Sequence, residues 1–170
     1  MSSGEKAGCN EWMHLPRWTE ACWGEKMWAN LAAGSVVVSL TILIHGVGLL
    51  ILSYMLRRVI DRFRPHHSRV GTVSVMVFTV LSLFALHSVE IWIWAFAYLW
   101  LGALPDLESA LFFSTLSFST LGAEEVSANS AWQLFGSIEG VNGFLLIGWS
   151  TAYLIPAWTR YGPFHEERGF

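Results

Sequence analysis

The sequence predicts an all-α membrane protein: three transmembrane helices plus one short helix and loop that re-enter the bilayer between the second and third. Three observations carry this prediction. The 170 residues are 54% hydrophobic, only 14% charged and have a mean hydropathy of +0.46, far more apolar than a soluble domain of this size requires. Three apolar runs each exceed the roughly 20 helical residues needed to cross a hydrocarbon core. A fourth run, 107–118, is too short to cross and leads into a polar, glycine-containing stretch.

The chain divides into a Trp-rich tail (1–32), a first span with its basic loop (33–71), a larger apolar unit (72–158) and a short tail (159–170). The first part alternates Trp12, Trp18, Trp23 and Trp28 with charged residues and has no long apolar core of a signal peptide. Residues 23–28 fit an interfacial amphipathic helix at headgroup level, where indoles are favoured. Cys9 and Cys22 are the two cysteines. An extracytoplasmic tail permits a disulfide between them, a cytoplasmic one leaves two thiols, and their spacing from His14 fits no zinc motif.

Residues 33–56 read as the first span, with His45 inside it. The loop 57–69 holds five arginines against Asp61, and basic loops stay cytoplasmic, which puts the N-terminus outside and the C-terminus inside. The same cluster has the chemistry of a lipid-headgroup or nucleic-acid patch, but so short a basic loop between spans is more often just a topology signal, and no nucleic-acid partner is expected. Residues 72–101 form the second span, whose outer half, Trp92, Trp94, Phe96, Tyr98 and Trp100, reads as an aromatic belt. Asp106 and Glu108 stand where acids start helices, opening the short run 107–118. Residues 119–126 then need a water-lined or protein-buried place at that depth. The last span is 131–158.

Between Val70 and Thr159 there is no Lys or Arg, while Glu90, Asp106, Glu108, Glu124, Glu125 and Glu139 all fall there. Outer helix, short helix, a Thr-hydrophobic-Gly triplet and a Gly-bearing last helix follow in order. This pattern over 72–158, with Leu-Phe-Phe-Ser-Thr-Leu-Ser-Phe-Ser-Thr-Leu-Gly at 111–122, resembles the pore module of the two-helix potassium channels, bacterial members included. The resemblance implies a potassium-channel-like pore module with Ser117 and Ser119 at the end of a pore helix. It implies a filter at Thr120, Leu121, Gly122, Ala123, Glu124 and Glu125, and an inner helix with gating glycines among Gly140, Gly143 and Gly148. It also implies a homotetramer in a bacterial inner membrane, with permeant cations as the only ligands. The family's filter reads Thr-Val-Gly-Tyr-Gly; here Ala123 and Glu124 replace its tyrosine and second glycine, so the outer carbonyl sites should not form in the usual geometry.

Four copies would put Glu124 and Glu125 into carboxylate rings, which select cations and favour divalents. The expectation is a cation channel for potassium and sodium, with calcium as a further candidate; the alternative is a non-conducting structural or regulatory subunit. His87 and Glu90 share one helical face, and His45 is placed either to meet them or to be an ordinary core histidine. Glu139, near the outer end of the last span, is expected to brace the pore loop rather than line the cavity, and Asn142, three residues on, is placed for either role. No nucleophile constellation or metal motif is visible, so neither catalytic residues nor metal ligands are assigned and an enzyme is not expected.

Overall fold

The computed structural model describes residues 19–63, 69–121 and 132–161. Among these the regular structure is helical: α1 (Thr19–Phe63), α2 (Arg69–Trp100), α3 (Leu107–Phe118) and α4 (Gln133–Tyr161). Three segments, Met27–Arg62, Val70–Trp100 and Gln133–Pro156, are long and apolar enough to cross a membrane, which supports an integral membrane protein. The helix α1 has 45 residues and so spans about 68 Å, roughly twice the hydrocarbon thickness. It does not break before residue 33: residues 23–28 belong to the same rod as the first span, not to a separate interfacial helix. The reason is local, since the nearest prolines are Pro16 and Pro65, beyond both ends of α1, and nothing between them stops the helix.

Side-chain partners give the register. Thr41 meets Asn142 and Ser53 meets Tyr153, so α1 and α4 run parallel. His45 meets Glu90, and a Cβ on Gly48 would meet Leu86, so α1 and α2 run antiparallel. Helix α3 descends beside α4, with Phe113 at Gly136, Ser114 at Glu139 and Phe118 at Gly143. Its 12 residues cover about 18 Å, so its C-terminal end reaches the middle of α4 and stops there.

The main core is aromatic and sits where α2, α3 and α4 meet. Trp94, Tyr98, Phe113 and Phe135 pack there, with Tyr98 edge-on to Phe113 and Phe135 at 5.1 Å between centroids. The expected outer aromatic belt is therefore split: Trp92, Phe96 and Trp100 are exposed, whereas Trp94 and Tyr98 are fully buried. Alternation along an aromatic run hid this, because positions four apart on a helix share a face.

Close approach of α3 to α4 depends on glycine. A Cβ on Gly143 would lie 2.9 Å from the carbonyl carbon and Cα of Phe118, a backbone that cannot move aside cheaply. Gly140 faces the Ser117 carbonyl oxygen at 3.3 Å, while Gly148 has nothing within 4 Å. Gly140 and Gly143 thus serve packing in this chain. Gly143→Ala should lower stability by about 1–3 kcal/mol through overpacking, and Gly148→Ala should not; thermal unfolding of both variants in detergent checks the contrast.

Candidate functional site

The site is the C-terminal end of α3 and the groups that hold it. Asp106, extended at φ −148°, is the N-cap: its Oδ1 accepts from the Ser109 N–H at 2.8 Å and its Oδ2 from the Ser109 hydroxyl at 2.9 Å. The Ser109 backbone N–H, helped by its hydroxyl, holds the Asp106 carboxyl below the ordinary carboxylate range. Glu108 lies exposed in the first turn, where the positive end of the helix dipole favours it.

Glu139 fastens the middle of α3. It is fully buried on α4 and accepts from the Tyr98 hydroxyl at 2.6 Å on one oxygen. The Ser114 hydroxyl, 2.5 Å from the other oxygen, has one proton to share between Glu139 and the Ile91 carbonyl at 3.0 Å. One carboxyl therefore ties α2, α3 and α4 together. Lower down, the Asn142 amide donates to Thr41 Oγ1 at 3.0 Å and joins α4 to α1.

The end of α3 has a specific backbone form. Thr120 N–H reaches the Ser117 carbonyl at 3.0 Å and Leu121 N–H reaches the Leu116 carbonyl at 3.1 Å, the paired bonds of a Schellman cap. That cap needs its last-but-one residue in the left-handed region, and Thr120 occupies it at φ 61°. The end of α2 makes the same motif, with Gly102 N–H on the Leu99 carbonyl and Ala103 N–H on the Tyr98 carbonyl, and there the left-handed residue is Gly102 at φ 64°. A β-branched residue in this region costs on the order of 1–3 kcal/mol. Among the described residues Thr120 is the only non-glycine to adopt it.

Of the residues expected at a filter, Thr120 and Leu121 are placed here and both are exposed, Leu121 at 77%. Ser117 is half-buried, and Ser119 caps α3 with its hydroxyl on the Thr115 carbonyl at 2.7 Å. Gly122, Ala123, Glu124 and Glu125 lie outside the described residues, as do the expected roles of Cys9 and His14.

A second polar group lies at the level where α3 ends. His45 Nδ1 is 2.8 Å from one oxygen of Glu90, and His87 Nδ1 is 2.9 Å from the other. Ser150 Oγ is 3.0 Å from His87 Nε2. The His87 ring packs on Phe118, 5.6 Å between centroids, at the last residue of α3. His45 therefore does meet the His87–Glu90 pair. Sequence spacing gave the pair on α2, but the partners Tyr98, Ser114, Thr41 and Ser150 had no visible signal, because each depends on the register between helices distant in the chain.

Residues 85–160, less than half of the chain, match a family model described as an ion channel. The match takes in the C-terminal half of α2, all of α3 and nearly all of α4, and it supports an ion channel. No curated protein and no solved structure matches the chain.

Two outcomes follow from the anchoring. Glu139→Ala strands the Tyr98 hydroxyl in the core and should cost about 1–3 kcal/mol; adding Tyr98→Phe in that background should recover part of the loss, as read by unfolding in detergent. The Asp106 cap contributes fully above the ordinary carboxylate pKa and is lost as pH falls through the lowered value. The stability gap between the parent protein and Asp106→Ala should therefore shrink on acidification.

Proposed function

We propose that this chain is one subunit of a tetrameric cation channel, in which α3 is a re-entrant pore helix and the residues after it form an altered filter. One short helix cannot enclose a pathway, so several copies must surround an axis. In this arrangement the negative ends of the α3 dipoles converge on the ion path and favour cations. The absence of Lys and Arg from Val70 to Thr159 suits the same sign of ion.

The observation that carries the reading is Thr120, held left-handed at the end of a helix anchored at mid-depth, where the other cap of this form uses glycine. A strained threonine in place of glycine is explained if its hydroxyl and carbonyl serve as ion ligands. Beyond it, Gly122 and Ala123 continue the filter, and Glu124 and Glu125 form the outer carboxylate rings that admit calcium beside potassium and sodium.

The side of α4 away from the core supplies the inner cavity and subunit contacts. Phe135, Glu139, Asn142, Leu146 and Ser150 are buried, and Val141, Phe144, Gly148 and Ile155 face outward on the opposite side. Gly148, free of packing within the chain, is the glycine at which α4 can bend for gating. The N-terminus is outside and the C-terminus cytoplasmic, following the arginine loop.

Liposome flux of potassium, sodium and calcium tests the proposal. The parent protein should pass all three with weak discrimination, and Glu124→Gln and Glu125→Gln should selectively reduce calcium flux. Strong potassium selectivity unaffected by either change contradicts the filter assignment, and no flux of any cation favours a non-conducting subunit.

A further inference from the structure

The geometry points to a transition-metal site inside the membrane-spanning bundle, with His45, His87 and Glu90 as ligands and Ser150 as the outer hydrogen-bond partner. It takes a borderline divalent cation of the zinc class, and it does not depend on whether the chain conducts ions. One ligand atom from each of the three residues can be chosen so that all lie within 4.8 Å of one another. Two imidazoles and a carboxylate are a usual zinc donor set and leave a fourth position open. The Nδ1 atoms of His45 and His87 stand 2.8 and 2.9 Å from the Glu90 oxygens. Ligand atoms about a tetrahedral zinc lie roughly 3.3 Å apart, so the two His–Glu pairs need to open by about half an ångström and the widest pair of the set, within 4.8 Å, needs to close by at most about 1.5 Å.

Charge makes the same case. Glu90 is fully buried, and no Lys or Arg occurs in residues 27–56 or 70–159, so among the described residues two imidazoles are its basic neighbours. With both imidazoles neutral, an ionised Glu90 leaves one uncompensated negative charge among apolar helices, which is costly. A divalent ion supplies the opposite charge at the carboxylate.

The outer partner is already in place. Metal binding at both Nδ1 atoms moves each ring proton to Nε2, and ligating histidines characteristically donate that second N–H to an oxygen. Ser150 Oγ lies 3.0 Å from His87 Nε2 and 3.5 Å from His45 Nε2, facing both. The Ser150 hydroxyl proton can then turn to the carbonyl one helical turn back, as those of Ser82, Ser88 and Thr151 do. Rings of Trp149 on His45, 5.3 Å between centroids, and Phe118 on His87 shield the group.

Such an ion would clamp α1, which lies wholly before the residues matched by the ion-channel model, onto the half of α2 that lies within them. Through Phe118 the same clamp bears on the end of α3.

The test uses the full-length protein in detergent, in a Cys9→Ser, Cys22→Ser background that removes thiol ligands. After chelator treatment it is titrated with zinc, and separately with cobalt(II) as a spectroscopic probe. One zinc per chain should bind, with a rise in unfolding temperature of roughly 5–10 °C at free zinc about a hundred times Kd. Cobalt should give the intense visible bands of a four-coordinate site. His45→Gln and His87→Gln should abolish the shift, and Ser150→Ala, which leaves the ligands intact, should weaken binding about 10-fold or more. Zinc binding or stabilisation that survives both histidine substitutions overturns the proposal. So does a cobalt spectrum of weak, six-coordinate type in the unsubstituted cluster, a readout that holds even if the histidine variants fail to fold. Failure to bind metal while ion flux persists would leave the channel reading intact.

Discussion

The placement of the short helix α3 depends on a buried carboxyl at Glu139. A helix of 12 residues is too short to cross a bilayer, and its last carbonyls need partners beyond the helix itself. Such an element persists only if its neighbours hold it. Glu139 does so from α4 by taking the Tyr98 hydroxyl of α2 and the Ser114 hydroxyl of α3, and the aromatic cluster around Tyr98 closes over the bonds. With the middle of α3 fixed, Gly143 lets the last turn lie against α4, and the backbone then turns sharply through the Thr120 cap. Anchor, close approach and cap are three steps of one construction.

Two further polar joints place α1 against this unit. Thr41 with Asn142, and His45 with Glu90 and Ser150, lie along one side of α1 at successive turns. Apolar side chains give little preference between a protein neighbour and lipid, so specific hydrogen bonds and small residues are what select one packing. Gly48, whose Cβ would fall 2.6 Å from Leu86, shows the same logic on the α1–α2 contact. The exposed apolar residues of α1, such as Leu43 and Leu50, suit lipid or a neighbouring subunit.

Much of this was legible in the residues. Apolar length alone located three spans, and the sequence placed the short helix at 107–118 because Asp106 and Glu108 form a start signal and the polar stretch after Phe118 forms a stop. A bracing role for Glu139 was also readable from its place near the end of the last span, although it was expected on the pore loop and is found on the middle of α3. What was not legible was the partner itself: Tyr98 looked like an interfacial aromatic, and Ser114 like an ordinary small residue of a membrane helix. The His45–Glu90–His87 cluster failed to announce a metal site for a related reason. Its ligands are 42 and 45 residues apart or share a helical face without a zinc spacing, and only the antiparallel register of α1 and α2 brings them together. The left-handed Thr120 is a third case, because propensity alone would have put glycine there.

The central claim is that α3 ends on a shared axis and presents Thr120 to ions. Electron cryo-microscopy of the protein in lipid nanodiscs tests it most directly. The account predicts a four-fold ring with the α3 C-termini converging and ion density on the axis beside Thr120. A lone chain, or a ring in which α3 faces lipid and Thr120 lies away from the axis, would contradict it.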